Sequence, residues 1–209
     1  MILVGQYDSP YVRRVAVSLH QLEVPFERAP LSTFRDIEAM RRINPTLRIP
    51  ALILDDGTAL TDSNAILDWL DGEVGPERAL IPPGGIERRR YWQAIGLAAT
   101  ACDKAKDILY EHALRPAAKV HEPVVARYRG QLEAALAGLD AMIGQPWTLG
   151  ERFSQADITA ACMFGFVCAA VPDAAAGRWP ALGRLAAACE AMPAFQAGAP
   201  GAEERLAGT

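Results

Sequence analysis

The sequence has few residues of the kinds that hold metals or form disulfides. It contains four cysteines and three histidines among 209 residues. No two cysteines form a Cys-x-x-Cys pair, and no histidine stands at metal-ligand spacing from another ligand. These residues are Cys102, Cys162, Cys168, Cys189, His20, His112 and His121. Because the cysteines stand in apolar, helix-like surroundings, we expect packed thiols, and neither a disulfide framework nor a metal site.

Positive charge is also scarce. The net charge is −4 at pH 7, and no basic stripe runs along the chain. The only basic cluster is Arg88-Arg89-Arg90, which is typical of the solvated start of a helix. Nucleic acid is therefore not expected as a partner.

Long apolar runs are missing as well. The most apolar stretch, residues 158–171, is shorter than the roughly 20 residues that a membrane-spanning helix needs. We expect it to be a buried core helix, and we expect no membrane association. The first residues carry neither a basic region nor a small-residue cleavage site, so a cytoplasmic location is expected.

The first 75 residues do carry alternating strand and helix patterns. Strands are predicted at residues 2–5, 24–29, 51–54 and 59–61, with helices from Pro10, over 34–43, and from Ser63 as N-cap. The Asp56-Gly57 pair between the last two strands is a hairpin signal. The order β-α-β-α-β-β-α predicts a mixed sheet of the thioredoxin-like type, with a parallel first crossover.

Ser9 stands where the first helix should begin. An apolar face recurs from Val12 at helical spacing, and Pro10 suits the first helical position because its missing N–H costs nothing there. Two roles are open for Ser9. It is either only an N-cap, or its hydroxyl serves an anion, since a helix N-terminus stabilises negative charge.

Three motifs in this region resemble those of the cytosolic glutathione transferase family. They are Ser9-Pro10-Tyr11-Val12-Arg13-Arg14-Val15, Asn44-Pro45-x-x-x-Ile49-Pro50-Ala51-Leu52 and Asp62-Ser63-Asn64-Ala65-Ile66-Leu67. One motif would be weak, but three in order at compatible spacing are specific. The resemblance, to bacterial members of the serine type, implies a thioredoxin-like α/β domain (1–75), a linker (76–85), an all-α domain (86–209) and a homodimer.

The resemblance also implies a glutathione site and no further cofactor. Ser63, at a helix N-terminus, would seat the γ-glutamyl carboxylate, and Asp62 would face the γ-glutamyl ammonium. The backbone of Ile49, before a cis Pro50, would pair with the cysteinyl backbone like an added strand. Arg48 would meet the glycyl carboxylate, although a solvated arginine is an equal alternative.

The Ser9 hydroxyl would then lie near the sulfur of glutathione. A free thiol of pKa about 8.5 is only a few per cent thiolate at pH 7. A hydroxyl hydrogen bond and a helix N-terminus would favour the anion. Serine cannot form the mixed disulfide that cysteine would, which favours addition or substitution over disulfide exchange.

The second half of the chain reads as helices. The string Ser154-Gln155-Ala156-Asp157 predicts a capping box at the start of a buried helix, and the tail after Pro200 is expected to be frayed. The resemblance implies a second-substrate pocket for a small hydrophobic electrophile. Its candidate residues are Tyr11, Asp103, Asp107 and Tyr110.

Three functions remain open from the sequence. The first is a transferase that attaches glutathione to an electrophile. The second is a glutathione- or ligand-binding protein with little turnover. The third is a glutathione-dependent disulfide reductase, which the absence of a cysteine near position 9 disfavours.

Overall fold

The computed structural model describes residues 1–204, which form two compact units. The first unit combines Met1–Pro83 with the chain from Ala191 onward, and the second is Gly84–Glu190. The first unit is therefore not continuous in sequence. The limits at residues 75 and 86 stay predictions for the ends of independently folding domains.

The first unit is built on a mixed four-stranded sheet in the order β2-β1-β3-β4. The strands are β1 (Ile2–Val4), β2 (Glu27–Ala29), β3 (Ala51–Ile53) and β4 (Ala59–Thr61). Strand β1 pairs parallel with β2 and antiparallel with β3, and β3 pairs antiparallel with β4. This confirms the thioredoxin-like arrangement and the hairpin. Strand β2 starts three residues later than predicted, at Glu27, which pairs with Ile2, the first residue of β1.

Three helices accompany the sheet: α1 (Pro10–Gln21), α2 (Ile37–Ile43) and α3 (Ser63–Val74). Helix α2 begins later than the predicted residue 34. The Ser32 hydroxyl accepts hydrogen bonds from the backbone N–H groups of Phe34 and Arg35. Such local side-chain bonds offer the backbone an alternative to the helix, and here they delay its start.

The second unit is helical, as expected. It contains α4 (Gly85–Ala113), α5 (Glu122–Asp140), α6 (Gln155–Ala170), α7 (Pro172–Ala175) and α8 (Pro180–Glu190). Helix α6 is buried at every residue from Gln155 to Phe164. The most apolar stretch is therefore a core helix over its first half, whereas Gly165 and Cys168 in its second half are exposed. Within residues 1–204, no helix is both long and apolar enough to cross a membrane.

The capping box at the start of α6 is present. The carboxylate of Asp157 accepts hydrogen bonds from the Ser154 N–H at 2.8 Å and the Ser154 hydroxyl at 2.7 Å. It also accepts one from the N–H of Thr148 at 2.7 Å. Each of these donors is buried, so one carboxylate satisfies three groups that would otherwise lack partners.

The chain then returns to the first unit through a short helix, α9 (Pro193–Ala197), and a 3-10 turn at Ala202–Glu204. We call residues 193–204 the α9 segment. The expectation of a frayed tail is wrong for residues 201–204, because the Glu204 carboxylate is buried and ion-paired with Arg28. Residues 205–209 lie outside the described part of the chain.

The cysteines follow the expectation of packed thiols with one exception. Cys102, Cys162 and Cys189 are buried, whereas Cys168 is exposed. Burial raises the pKa of the Cys189 thiol far above its usual value, so this thiol stays protonated and packs as an apolar group.

Candidate functional site

Ser9 lies in the turn that joins β1 to α1. Gly5, with φ +129°, ends the strand, and a Cβ built on it would lie 2.7 Å from Val12 Cγ2 and 2.9 Å from Ile49 Cβ. Only glycine fits this approach. The Ser9 N–H then donates to the Gln6 carbonyl at 3.2 Å and closes the turn.

Ser9 occupies the N-cap position of α1, with φ −71° and ψ 117°, and Pro10 begins the helix. Its carbonyl accepts the first helical hydrogen bond, from the N–H of Arg13 at 2.9 Å. Among the described residues, its side chain makes no capping hydrogen bond. The position of the cap is as predicted, but the hydroxyl is not used to form it.

The second predicted element is the turn before β3, where the Ile49–Pro50 bond is cis, as expected. Asn44, which is buried, shapes this turn: its amide donates to the Arg48 carbonyl at 2.8 Å, and its oxygen accepts from the Thr46 hydroxyl at 2.8 Å. In the part of the chain that the structure describes, the Ile49 backbone has no hydrogen-bond partner. The Gly5 approach to Ile49 brings this turn against the Ser9 turn.

The third element is the start of α3, where the structure corrects one prediction. The N-cap is Asp62, with φ +70°, and Ser63 is the first helical residue. The Asp62 carboxylate accepts from the Asn64 N–H at 2.8 Å. Asp62 forms this bond with the chain turned sharply at φ +70°, so Ser63, one position later, is not needed as the cap.

A residue that the sequence analysis missed connects these elements. Arg14 is 1% exposed. Its guanidinium donates to the Ser63 hydroxyl oxygen from Nε at 3.2 Å and from Nη2 at 2.5 Å, and to the Asn64 amide oxygen at 2.8 Å. Arg14 falls opposite the apolar face of α1 on a helical projection, so the hydrophobic pattern gives no sign that it is buried.

The contacts of Arg14 determine how Ser63 can act. Arginine only donates hydrogen bonds, so the Ser63 oxygen is the acceptor in this pair. The hydroxyl proton of Ser63 has no acceptor among residues 1–204. A buried cation, a hydroxyl donor and the first N–H groups of α3 therefore stand together, which is an environment that suits a carboxylate.

Acidic and basic side chains flank this region. Asp8 precedes Ser9, and burial raises the pKa of its carboxyl, against the lowering effect of the Ser9 N–H. Arg48 lies at the turn before Ile49 and is exposed. Over the described residues, its side chain forms no ion pair.

The proposed second-substrate residues are divided between the two units. Asp107 and Tyr110 line one open cleft of about 470 Å³ in the helical unit, together with Leu114, Lys119 and Tyr128. Asp103 does not line this cleft and pairs with Lys106 at 3.0 Å. Tyr11 belongs to the first unit, where the Arg14 guanidinium lies 5.8 Å from its ring centroid.

The described residues hold no group of three or more His, Cys, Asp or Glu side chains placed to bind a metal ion. The first unit brings together a set of polar groups. It consists of the Ser9 hydroxyl, the Ile49 backbone and the Ser63 hydroxyl beside Arg14.

Comparison with known proteins agrees with this architecture. Residues 3–78 match the family model of the glutathione S-transferase N-terminal domain, and residues 122–204 match that of the C-terminal domain. The uncharacterized GST-like protein YibF of Escherichia coli is 27% identical over 168 residues, which cover 80% of this chain and 82% of YibF.

Two solved structures extend the likeness to nearly the whole chain. A glutathione S-transferase from Methylobacterium radiotolerans, in complex with glutathione sulfonate, has a TM-score of 0.89 and 30% identity, covering 96% of this chain and 95% of that one. A glutathione transferase family member from Pseudomonas fluorescens Pf-5, with bound glutathione, has a TM-score of 0.82 and 33% identity, covering 96% and 98%. This chain therefore belongs to the glutathione S-transferase family.

Proposed function

We propose that this protein binds glutathione in its first unit and activates the thiol for conjugation to a small hydrophobic electrophile. The observation that carries the proposal is the Ser9 hydroxyl. It stands at the start of a 12-residue helix and, among residues 1–204, makes no capping bond with it. A hydroxyl placed there without a capping role is suited to donate to a thiolate.

The backbone of glutathione pairs with the turn before β3. The N–H and carbonyl of Ile49 have no partner in the described residues, and an extended peptide can satisfy both like an added strand. Because Gly5 packs against Ile49, a cysteinyl residue bound there directs its sulfur toward the neighbouring Ser9 turn.

The γ-glutamyl end binds at the start of α3. Its carboxylate accepts from the Ser63 hydroxyl and from the N–H groups of the first turn, close to the positive charge of Arg14. Its ammonium faces Asp62. At the other end of the tripeptide, Arg48 meets the glycyl carboxylate.

The electrophile is proposed to bind against Tyr11 and the α4 residues Asp103, Asp107 and Tyr110. The cleft that contains Asp107 and Tyr110 supports this only in part, since its walls combine aromatic rings with charged groups. Tyr128, with the Lys104 ammonium 4.6 Å from its ring centroid, forms another wall. Such a cleft accepts the flat face of a small apolar molecule.

The test measures glutathione binding by calorimetry and the thiolate absorbance of bound glutathione as a function of pH. For the wild type we expect binding and a thiol pKa about two units below the free value, which corresponds to about 2.7 kcal/mol. In Ser9→Ala the bound thiol should return toward its free pKa. The rate of conjugation at pH 7 should then fall by about 25-fold, because the thiolate fraction drops from about three quarters to about 3%.

A matched control is Ser154→Ala, which removes a serine from the N-cap position of α6. It should leave the thiol pKa of bound glutathione unchanged. Failure of the wild type to bind glutathione at millimolar concentration would overturn the proposal. Binding with an unshifted thiol pKa would favour the alternative function, a glutathione- or ligand-binding protein with little turnover.

The oligomeric state and the cellular location of the protein are proposed from the family resemblance. We expect a homodimer, which light scattering tests, and a cytoplasmic protein that acts in detoxification. Three buried thiols and one exposed thiol, none of them in a disulfide, agree with a reducing compartment.

A further inference from the structure

The loop before Ser9 is held by a residue near the other end of the chain. Glu204 lies 197 positions from Tyr7, yet its Oε1 accepts the Tyr7 backbone N–H at 3.2 Å. The Glu204 side chain is 2% exposed. A carboxylate buried to this extent needs several partners to offset its lost hydration.

Those partners are present. Arg28 of β2 forms an ion pair with Oε1 of Glu204, and the Gly201 N–H donates to Oε2 at 3.1 Å. The Arg28 guanidinium also lies 3.6 Å from the ring centroid of Tyr7, in stacking contact. Tyr7 is thus held twice, through its backbone by Glu204 and through its ring by Arg28.

A second set of contacts keeps the α9 segment in place. The Arg13 side chain of α1 donates from Nε to the Gly198 carbonyl at 3.1 Å. Phe195, which is fully buried, lies under the Arg13 guanidinium at 5.6 Å. At Gly198 an added Cβ would lie 2.9 Å from Val17 Cγ2, so the segment packs closely against the Val17 side chain of α1. The packing of the α9 segment against α1 therefore places Glu204 beside Tyr7.

We infer that Glu204 is a positioning residue for Ser9. It fixes the turn of residues 6–9 from outside, through the Tyr7 N–H, while the Ser9-to-Gln6 hydrogen bond closes the same turn from within. The Ser9 hydroxyl acts on the glutathione sulfur only if it is held within about 0.5 Å of its place. This inference rests on the proposed function, and Glu204 itself does not touch the substrate.

The test compares Glu204→Gln with Glu203→Gln. Glutamine keeps the shape of the side chain but removes the charge that pairs with Arg28, and Glu203 is an exposed neighbour of the same type. In the protein without glutathione, we expect amide hydrogen exchange of the peptide that contains Tyr7 to quicken by about tenfold in the Glu204 variant alone.

The second readout is the pKa of the bound glutathione thiol. It should rise by about one unit in Glu204→Gln, a tenfold loss of thiolate relative to thiol, and should not change in Glu203→Gln. In the double variant with Ser9→Ala, the pKa should equal that of Ser9→Ala alone. This non-additivity is expected only if Glu204 acts through Ser9.

Several results would overturn the inference. They are an unchanged exchange rate at Tyr7, an unchanged thiol pKa, an equal effect of Glu203→Gln, or full additivity with Ser9→Ala. If Glu204→Gln does not fold, Arg28→Gln breaks the same ion pair from β2 and is judged by the same outcomes. If the wild type binds no glutathione, the proposed function is wrong. If the wild type binds glutathione and Glu204→Gln changes neither the exchange rate nor the thiol pKa, only the role of Glu204 is wrong.

Discussion

Helices α1 and α6 both begin after a serine, but the two serines are held differently. The Ser154 hydroxyl donates to Asp157, three residues along the chain, inside a buried capping box. The Ser9 hydroxyl makes no capping bond within the described residues, and its loop is held instead by the distant Glu204. A helix start that satisfies its own serine is structural, whereas one that leaves the hydroxyl unused is available to a ligand.

The largest expected effect tests the structural half of this comparison. Asp157→Ala leaves the N–H groups of Thr148 and Ser154 without their acceptor in a fully buried site. We expect the free energy of unfolding to fall by about 3 kcal/mol or more, at roughly 1–3 kcal/mol for each donor left unsatisfied. Urea unfolding measures this, and a loss below 1 kcal/mol would show that the capping box is not a stabilising element.

The next largest effect is expected for Arg14→Met, which tests the proposed glutathione site. The substitution removes the cation that holds the Ser63 hydroxyl and the Asn64 amide. We expect a cost of about 2 kcal/mol, because the buried Ser63 oxygen loses its donors, whereas Asn64 is exposed to water. Glutathione affinity should also fall at least tenfold, because the γ-glutamyl carboxylate loses its buried positive charge. Calorimetry gives the affinity and urea unfolding gives the stability.

The control for Arg14→Met is Arg13→Met, which replaces the arginine one position earlier on α1. Its side chain contacts Gly198 and Phe195 of the α9 segment. It should leave the γ-glutamyl end unaffected. Equal losses of affinity in both variants would contradict the role of Arg14.

A smaller effect separates the two serines directly. Ser154→Ala should reduce the free energy of unfolding by about 1 kcal/mol, the usual value of a lost N-cap. Ser9→Ala should cost less, because its side chain makes no capping bond in the described chain. Thermal and urea unfolding of the two variants decide this, and the reverse order would remove the distinction between the two helix starts.

The smallest effect concerns pH. Burial acts to raise the pKa of the Glu204 carboxyl, but hydrogen bonds from Arg28, Gly201 and Tyr7 outweigh it and hold that pKa below its usual value. A depressed folded-state pKa contributes stability above the unfolded value of about 4.3 and loses it as pH falls through the folded value. The melting-temperature difference between wild type and Glu204→Gln should therefore shrink from pH 6 to pH 3. A constant difference would contradict this.

The same comparison explains what could be predicted from the sequence. The capping box is formed by residues close together in sequence. Ser154 and Asp157, three residues apart, are therefore enough to predict it. Local patterns likewise predict the β-α-β order and the hairpin, and the family resemblance implies the cis Ile49–Pro50 bond; all three are confirmed.

The contacts of Arg14 and Glu204 were not predictable in this way. Arg14 faces away from the apolar side of α1, and it is buried because α3 and α9 pack on other sides of that helix. Glu204 follows a small, polar stretch that resembles a frayed end. Its burial depends on Arg28 and Tyr7, which are more than 170 positions away. No pattern within one helix or strand reports such pairings.

The return of the α9 segment to the first unit has a consequence for the order of folding during synthesis. A ribosome releases the sheet and α1 first and the helices of the second unit next, and only then Phe195 and Glu204. Until that point one side of α1 and the Tyr7 backbone lack their partners. The unit that emerges first is thus completed last, and nascent chains stopped before residue 193 should keep the Ser9 loop open to protease.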